Sequence, residues 1–129
     1  MRESIKKYIG EHRDEIVETL KELVRIPSVR GEKEENAPFG RECAKVLERI
    51  RSLYAENGFE SILYKDGGYL LSYYGSGDKT LGMFAHADVV SVDDKWVFTK
   101  PFEPIEKDGF LIGRGVVDDK AGIVTALYC

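Results

Sequence analysis

The sequence predicts an α/β fold in which two amphipathic helices precede a mixed sheet and a further helix follows it. Three observations carry this reading. Apolar residues recur at helical spacing up to Asn57-Gly58. Beyond that point the period shortens to two, and glycine-centred turns separate short runs. The most apolar run, Thr80 to His86, then reads as a strand buried on both faces and ends on a histidine.

The first helix is expected over Ser4 to Arg25. Ile5, Ile9, Ile16, Leu20, Leu23 and Val24 form its apolar stripe, with Glu and Lys between them. Pro27 ends it, because the residue before a proline is steered out of the helical region. Ser28 to Pro38 is polar and turn-rich and reads as a loop. Phe39 to Asn57 forms the second helix, with Ala44, Val46, Leu47, Ile50, Leu53 and Tyr54 facing inward. Asn57-Gly58 is its stop signal.

Phe59 to Lys65 and Tyr69 to Tyr74 read as a hairpin around Asp66-Gly67-Gly68. Residues 75–78 turn into the Thr80–His86 strand. Ser91 to Glu106 reads as a long loop, its Trp96, Pro101 and Phe102 packed over the strand ends. Asp108-Gly109 turns into a short strand, Phe110 to Gly113, and a helix is expected over Lys120 to Cys129. That helix is very apolar and carries no stop signal, so the sequence reading expects the chain to be part of a longer one, cut within a helix.

Composition narrows the function. The 129 residues suit one domain, and 43% apolar residues support a core. The net charge of −4, with both signs interspersed and no basic stripe, argues against nucleic acid. No run has the length of a membrane span, and residues 1–10 are charged and lack a signal peptide's apolar core. Cys43 and Cys129 make no disulfide framework, so a reducing cytoplasm is expected.

Two blocks carry candidate chemistry. In HADVV, His86 and Asp88 lie two apart on extended chain and share a side. A carboxylate there can hold one imidazole nitrogen and leave the other for a metal. Taken alone, the pattern is weak, and a histidine hydrogen-bonded in a loop corner is the more ordinary reading. In GFLIGRGVVDDKAG (Gly109 to Gly122), two aspartates open a helix. Asp118 is placed to ligate cations, whereas Asp119 suits a helix N-cap. Arg114 is the best candidate for an ion pair near the site, and His12 reads as a solvated residue of the first helix.

In order and spacing, HADVV, a tryptophan, PF and DGFLIGRGVVDDKAG together resemble the co-catalytic zinc exopeptidase family. That family includes PepV-like dipeptidases, carnosinases, aminoacylases, acetylornithine and succinyl-diaminopimelate deacylases and carboxypeptidase G. LVRIPSVRGEKEENAPFG (Leu23 to Gly40) is similar to the PepV-like branch. The resemblance implies that residues 1–129 are the N-terminal, incomplete part of a metallopeptidase catalytic domain, without its lid domain. It implies His86 and Asp118 as metal ligands, with Asp118 bridging two ions. It implies Asp88 as the catalytic-site carboxylate that orients His86, and a cis peptide bond from Asp118 to Asp119.

The implied cofactor is Zn2+, two ions in the complete enzyme, with Mn2+ or Co2+ as alternatives. The implied reaction is hydrolysis of dipeptides by a metal-activated water, with a glutamate further along as general base. The alternatives are an N-acyl amino acid deacylase or carboxypeptidase of the same family, and a non-catalytic remnant or binding module. The expected partner is a dipeptide or acyl amino acid, with no nucleic acid or membrane. The chain alone, with two of the metal ligands, is expected to be inactive. Two departures from the pattern stand out: Ser91 where a proline usually follows HxDVV, and Ala121 where a glycine usually follows DDK.

Overall fold

The computed structural model describes residues 2–64, 66–93 and 95–129. Helix α1 spans Arg2–Val24 and α2 spans Arg41–Glu56; the strands are β1 (Glu60–Tyr64), β2 (Tyr69–Tyr73), β3 (Ile105–Lys107) and β4 (Phe110–Ile112). An irregular turn, Val116–Lys120, leads into α3 (Ala121–Tyr128). The α/β class read from the sequence holds. Lys65, expected to end the first strand, and Asp94, expected in the long loop, lie outside the described residues.

Both long helices follow their apolar stripes, but α1 uses only half of its own. Leu20, Leu23 and Val24 are buried, while Ile5 and Ile9 remain about half exposed because nothing described packs over the first turns. Helix α2 buries Cys43, Val46, Ile50, Leu53 and Tyr54. It stops where expected: Asn57 N and Phe59 N both donate to Tyr54 O, and Gly58 adopts a left-handed φ of 82°. The core joins these side chains to Ala87, Val116, Ile123 and Val124. Tyr54 Oη ties α2 to α3 by donating to Ile123 O at 2.8 Å, and Arg49 of α2 grips Glu22 of α1 through two nitrogens.

The strands form two separate antiparallel hairpins rather than one mixed sheet. β1 and β2 pair from Glu60–Tyr73 to Tyr64–Tyr69. β3 was expected to be loop; it pairs with β4 around the Asp108-Gly109 turn, both of whose residues have positive φ. Glu106 of β3 docks this hairpin on α1 by accepting from Lys21 Nζ at 2.7 Å and Arg13 at 2.8 Å. Those bonds hold its carboxyl below the usual range, that from Lys21 contributing most.

The expected strand Thr80–His86 is not one. No ladder pairs it among the described residues, and Leu81 and Phe84 are 86% and 97% exposed. The physical reason is that a strand exists through its neighbours, and among the described residues none pairs with the run. Pairing begins only after His86, where Val89 forms an isolated parallel bridge with Val29.

Candidate metal and catalytic site

The site forms where the HADVV segment meets the turn before α3. Ala87 and Val89 are buried and point into the core, which turns His86 and Asp88 outward, as period-two alternation requires. His86 Nε2 lies 2.9 Å from Asp118 Oδ1. On the other side of the ring, Nδ1 donates to Asp88 O at 3.0 Å and lies 3.3 Å from Asp88 Oδ1. The structure therefore brings all three sequence-predicted residues, His86, Asp88 and Asp118, into one cluster.

His86 is held above the ordinary imidazole range. Burial, the largest single influence, pulls it down, but the hydrogen bonds to Asp118 and Asp88 and their charges together outweigh it. The ring is half exposed and the Asp118 side chain 89% exposed, so the pair is open to solvent.

The turn presenting Asp118 is not helical. Asp118 (φ −123°, ψ 94°) and Asp119 (φ −134°, ψ 27°) lie outside the helical region, and the peptide bond between them is cis. Asp119 was open to an N-cap reading. Helix α3 has no side-chain cap, and Asp119 instead accepts from His86 N through Oδ2 at 3.3 Å. Ala121 packs half-buried against the core; at the next position, Gly122, an added Cβ would meet Asp119 Oδ1 at 2.7 Å.

Arg114 departs from its expected role. Among the described residues it makes no ion pair; its guanidinium stands 5.6 Å over the Trp96 ring. His12 stays on α1, stacked on Tyr8 and donating to Tyr8 O. Lys120 is fully buried directly after the aspartate pair, and burial pushes its amine down to about 8. Neither its burial nor that of Ser28 was read from the sequence. The only local hint for Ser28 was its place beside Pro27, where a buried polar residue needs a partner from elsewhere in the chain.

The donor set suits a divalent cation in kind. One imidazole nitrogen and one carboxylate oxygen converge, and the far side of the imidazole is held by Asp88, a pairing that zinc accepts. Among the described residues, no group of three or more His, Cys, Asp and Glu is arranged for a metal. His86 and Asp118 thus make two donors of a site, short of the three protein ligands usual in catalytic zinc centres. Two cavities flank them. One, of about 740 Å³, is bordered by His86, Asp88, Met83, Phe84, Tyr54 and Leu70. The other, of about 610 Å³, is bordered by Asp118, Val117, Trp96, Phe98, Phe110 and Arg114.

Comparison with known proteins places similar chains among the peptidases. Residues 82–129 match the model of peptidase family M20/M25/M40. Chains from Staphylococcus aureus strains USA300 and NCTC 8325, each provisionally named a dipeptidase, are 32% identical over 127 residues, which is 95% of this chain and 26% of theirs. The crystal structure of human carnosine dipeptidase 1 superposes with a TM-score of 0.74 at 29% identity, covering 98% of this chain and 30% of that one. The chain thus spans about a quarter of the length of the curated relatives it matches. No helix among the described residues is long and apolar enough to cross a membrane.

Proposed function

Because this chain is related to the peptidases of family M20/M25/M40, we propose that it supplies half of a metal site for dipeptide hydrolysis. The observation that carries the reading is the 2.9 Å approach of His86 Nε2 to Asp118 Oδ1, which joins the two sequence blocks in one place. His86 and Asp118 are the ligands. A bound Zn2+, or Mn2+ or Co2+, supplies a polarised carbonyl and an activated water.

The chain's own residues do the rest. Asp88 keeps the proton on His86 Nδ1 through its carbonyl and carboxylate, so a neutral ring offers Nε2 as donor. Asp119 holds the backbone of His86 through its amide. Dipeptides are the favoured substrate class, since the named relatives are dipeptidases and the Leu23–Gly40 segment is of the PepV type. N-acyl amino acids are the second class. With only two donors converging among its described residues, the 129-residue chain by itself is expected not to turn over either. In this reading it is the N-terminal part of a catalytic domain. Both cysteines are free, in keeping with a reducing cytoplasm.

The test is metal-dependent hydrolysis of dipeptides and N-acyl amino acids by the gene's natural product, with and without His86→Ala. Loss of activity in the variant supports the assignment. Full activity with metal still bound overturns it.

A further inference from the structure

Ser28 and Lys120 are the two buried polar or charged residues among those described, each with no exposed surface. Both hold the same short turn. Lys120 Nζ donates to Leu23 O at 2.9 Å and to Ile26 O at 2.8 Å, the last carbonyls of α1 and the chain just beyond. Ser28 Oγ donates to Ala87 O at 2.6 Å, and Ser28 O accepts from Val89 N at 2.9 Å. Cys43 Sγ also donates to Ser28 O, at 3.4 Å. The bonds of Ser28 thus land on either side of Asp88, directly after His86. Those of Lys120 come from the second residue after Asp118.

We infer that Ser28 and Lys120 are positioning residues which set His86 against Asp118 by anchoring both motif blocks to the Leu23–Ser28 turn. The inference rests on the metal-site reading above. Its physical basis is the cost of burying these groups. A buried ammonium with no carboxylate partner among the described residues is held only if carbonyls take its protons, and helix C-terminal carbonyls carry the favourable partial charge. A plain apolar side chain would fill the space more cheaply, so the polar choice points to a geometric task.

The place where the two blocks touch supports the same task. Gly115 has a φ of 87°, and a Cβ there would lie 2.8 Å from Val89 Cγ1 and 3.4 Å from Lys120 Cδ. Only a residue without a side chain lets the Val89 and Lys120 segments close on one another.

The test compares Ser28→Ala, Lys120→Met and the double variant of the 129-residue chain by amide hydrogen exchange, with Zn2+ calorimetry alongside. Each single variant should speed exchange about tenfold at both Val89 and Lys120 N, because the shared turn couples them. Amides in the middle of α2 should keep their unsubstituted rates. Exchange that rises only beside each substitution, or equally everywhere, overturns the inference. Should Lys120→Met fail to fold, Ser28→Cys, similar in volume with a weaker donor, decides: a smaller rise at Lys120 N supports coupling, and none overturns it. Where the unsubstituted chain binds Zn2+, both variants should weaken it about tenfold. Zn2+ binding by the unsubstituted chain that His86→Ala leaves unchanged overturns the metal reading alone, and the exchange pattern still decides the positioning role.

Discussion

His86 Nε2 and Asp118 Oδ1 stand 2.9 Å apart although 32 residues separate them in the chain. One lies just after an exposed apolar run and the other in a non-helical turn. Their meeting depends on the buried residues that flank them, Ala87 and Val89 in one segment and Val116 and Lys120 in the other.

Two donors predict weak metal binding by this chain. Calorimetry with Zn2+ should give a dissociation constant above roughly 1 μM, and His86→Ala or Asp118→Ala should remove the signal. Sub-micromolar binding retained in either variant would place the metal elsewhere.

The raised pKa of His86 makes that binding pH-dependent. Below it, the imidazolium pairs with Asp118 and Asp88, and a metal must displace a proton. Affinity should therefore climb as pH rises through the His86 pKa, with about one proton released per ion on the acid side. Titrations in two buffers of different ionisation enthalpy measure that release. The metal-free pair has the opposite sign: its contribution to folding is present below the unfolded imidazole value and lost as pH rises past the folded one.

Asp88 holds Nδ1 twice, through its carbonyl and its carboxylate. Asp88→Asn removes the charge and leaves the carbonyl, so the loss of metal affinity should sit near the lower end of the usual range, about tenfold. A hundredfold loss or more would mean that the carboxylate acts by contacts beyond His86.

Burial pushes the Tyr54 hydroxyl up to about 12, and it donates to Ile123 O. The folded state keeps this proton while the unfolded chain releases it near pH 10, so stability should fall between pH 10 and 12. Tyr54→Phe should cost about 1 kcal/mol near neutrality and flatten that alkaline fall by up to about 2 kcal/mol. Urea denaturation of both proteins at pH 8 and pH 11 reads the difference.

Two helical glycines should respond in opposite directions. Gly10 has open space around an added Cβ, so Gly10→Ala should stabilise α1 by roughly 0.5–1 kcal/mol. At Gly122 the Cβ would press on Asp119 Oδ1, so Gly122→Ala should destabilise by about 1–3 kcal/mol and loosen the bond to His86 N. Thermal melts of the two variants give the signs, and exchange at the His86 amide tests the second effect.

Local pattern alone determined α1, α2, the β1–β2 hairpin, the stop at Asn57-Gly58 and the nature of the two motif blocks. These depend on residues a few positions apart, whose spacing the sequence displays directly. The order and spacing of the blocks also pointed to the peptidase family that the comparisons support. Only the tertiary structure decided that Thr80–His86 stays unpaired, that Ile105–Lys107 is a strand, and that Asp119 turns to His86 rather than capping α3. It alone revealed Ser28 and Lys120 as buried ties on one turn. Strand pairing and the satisfaction of a buried polar group both depend on partners far along the chain, and the apolar content of a run does not say which neighbours will cover it.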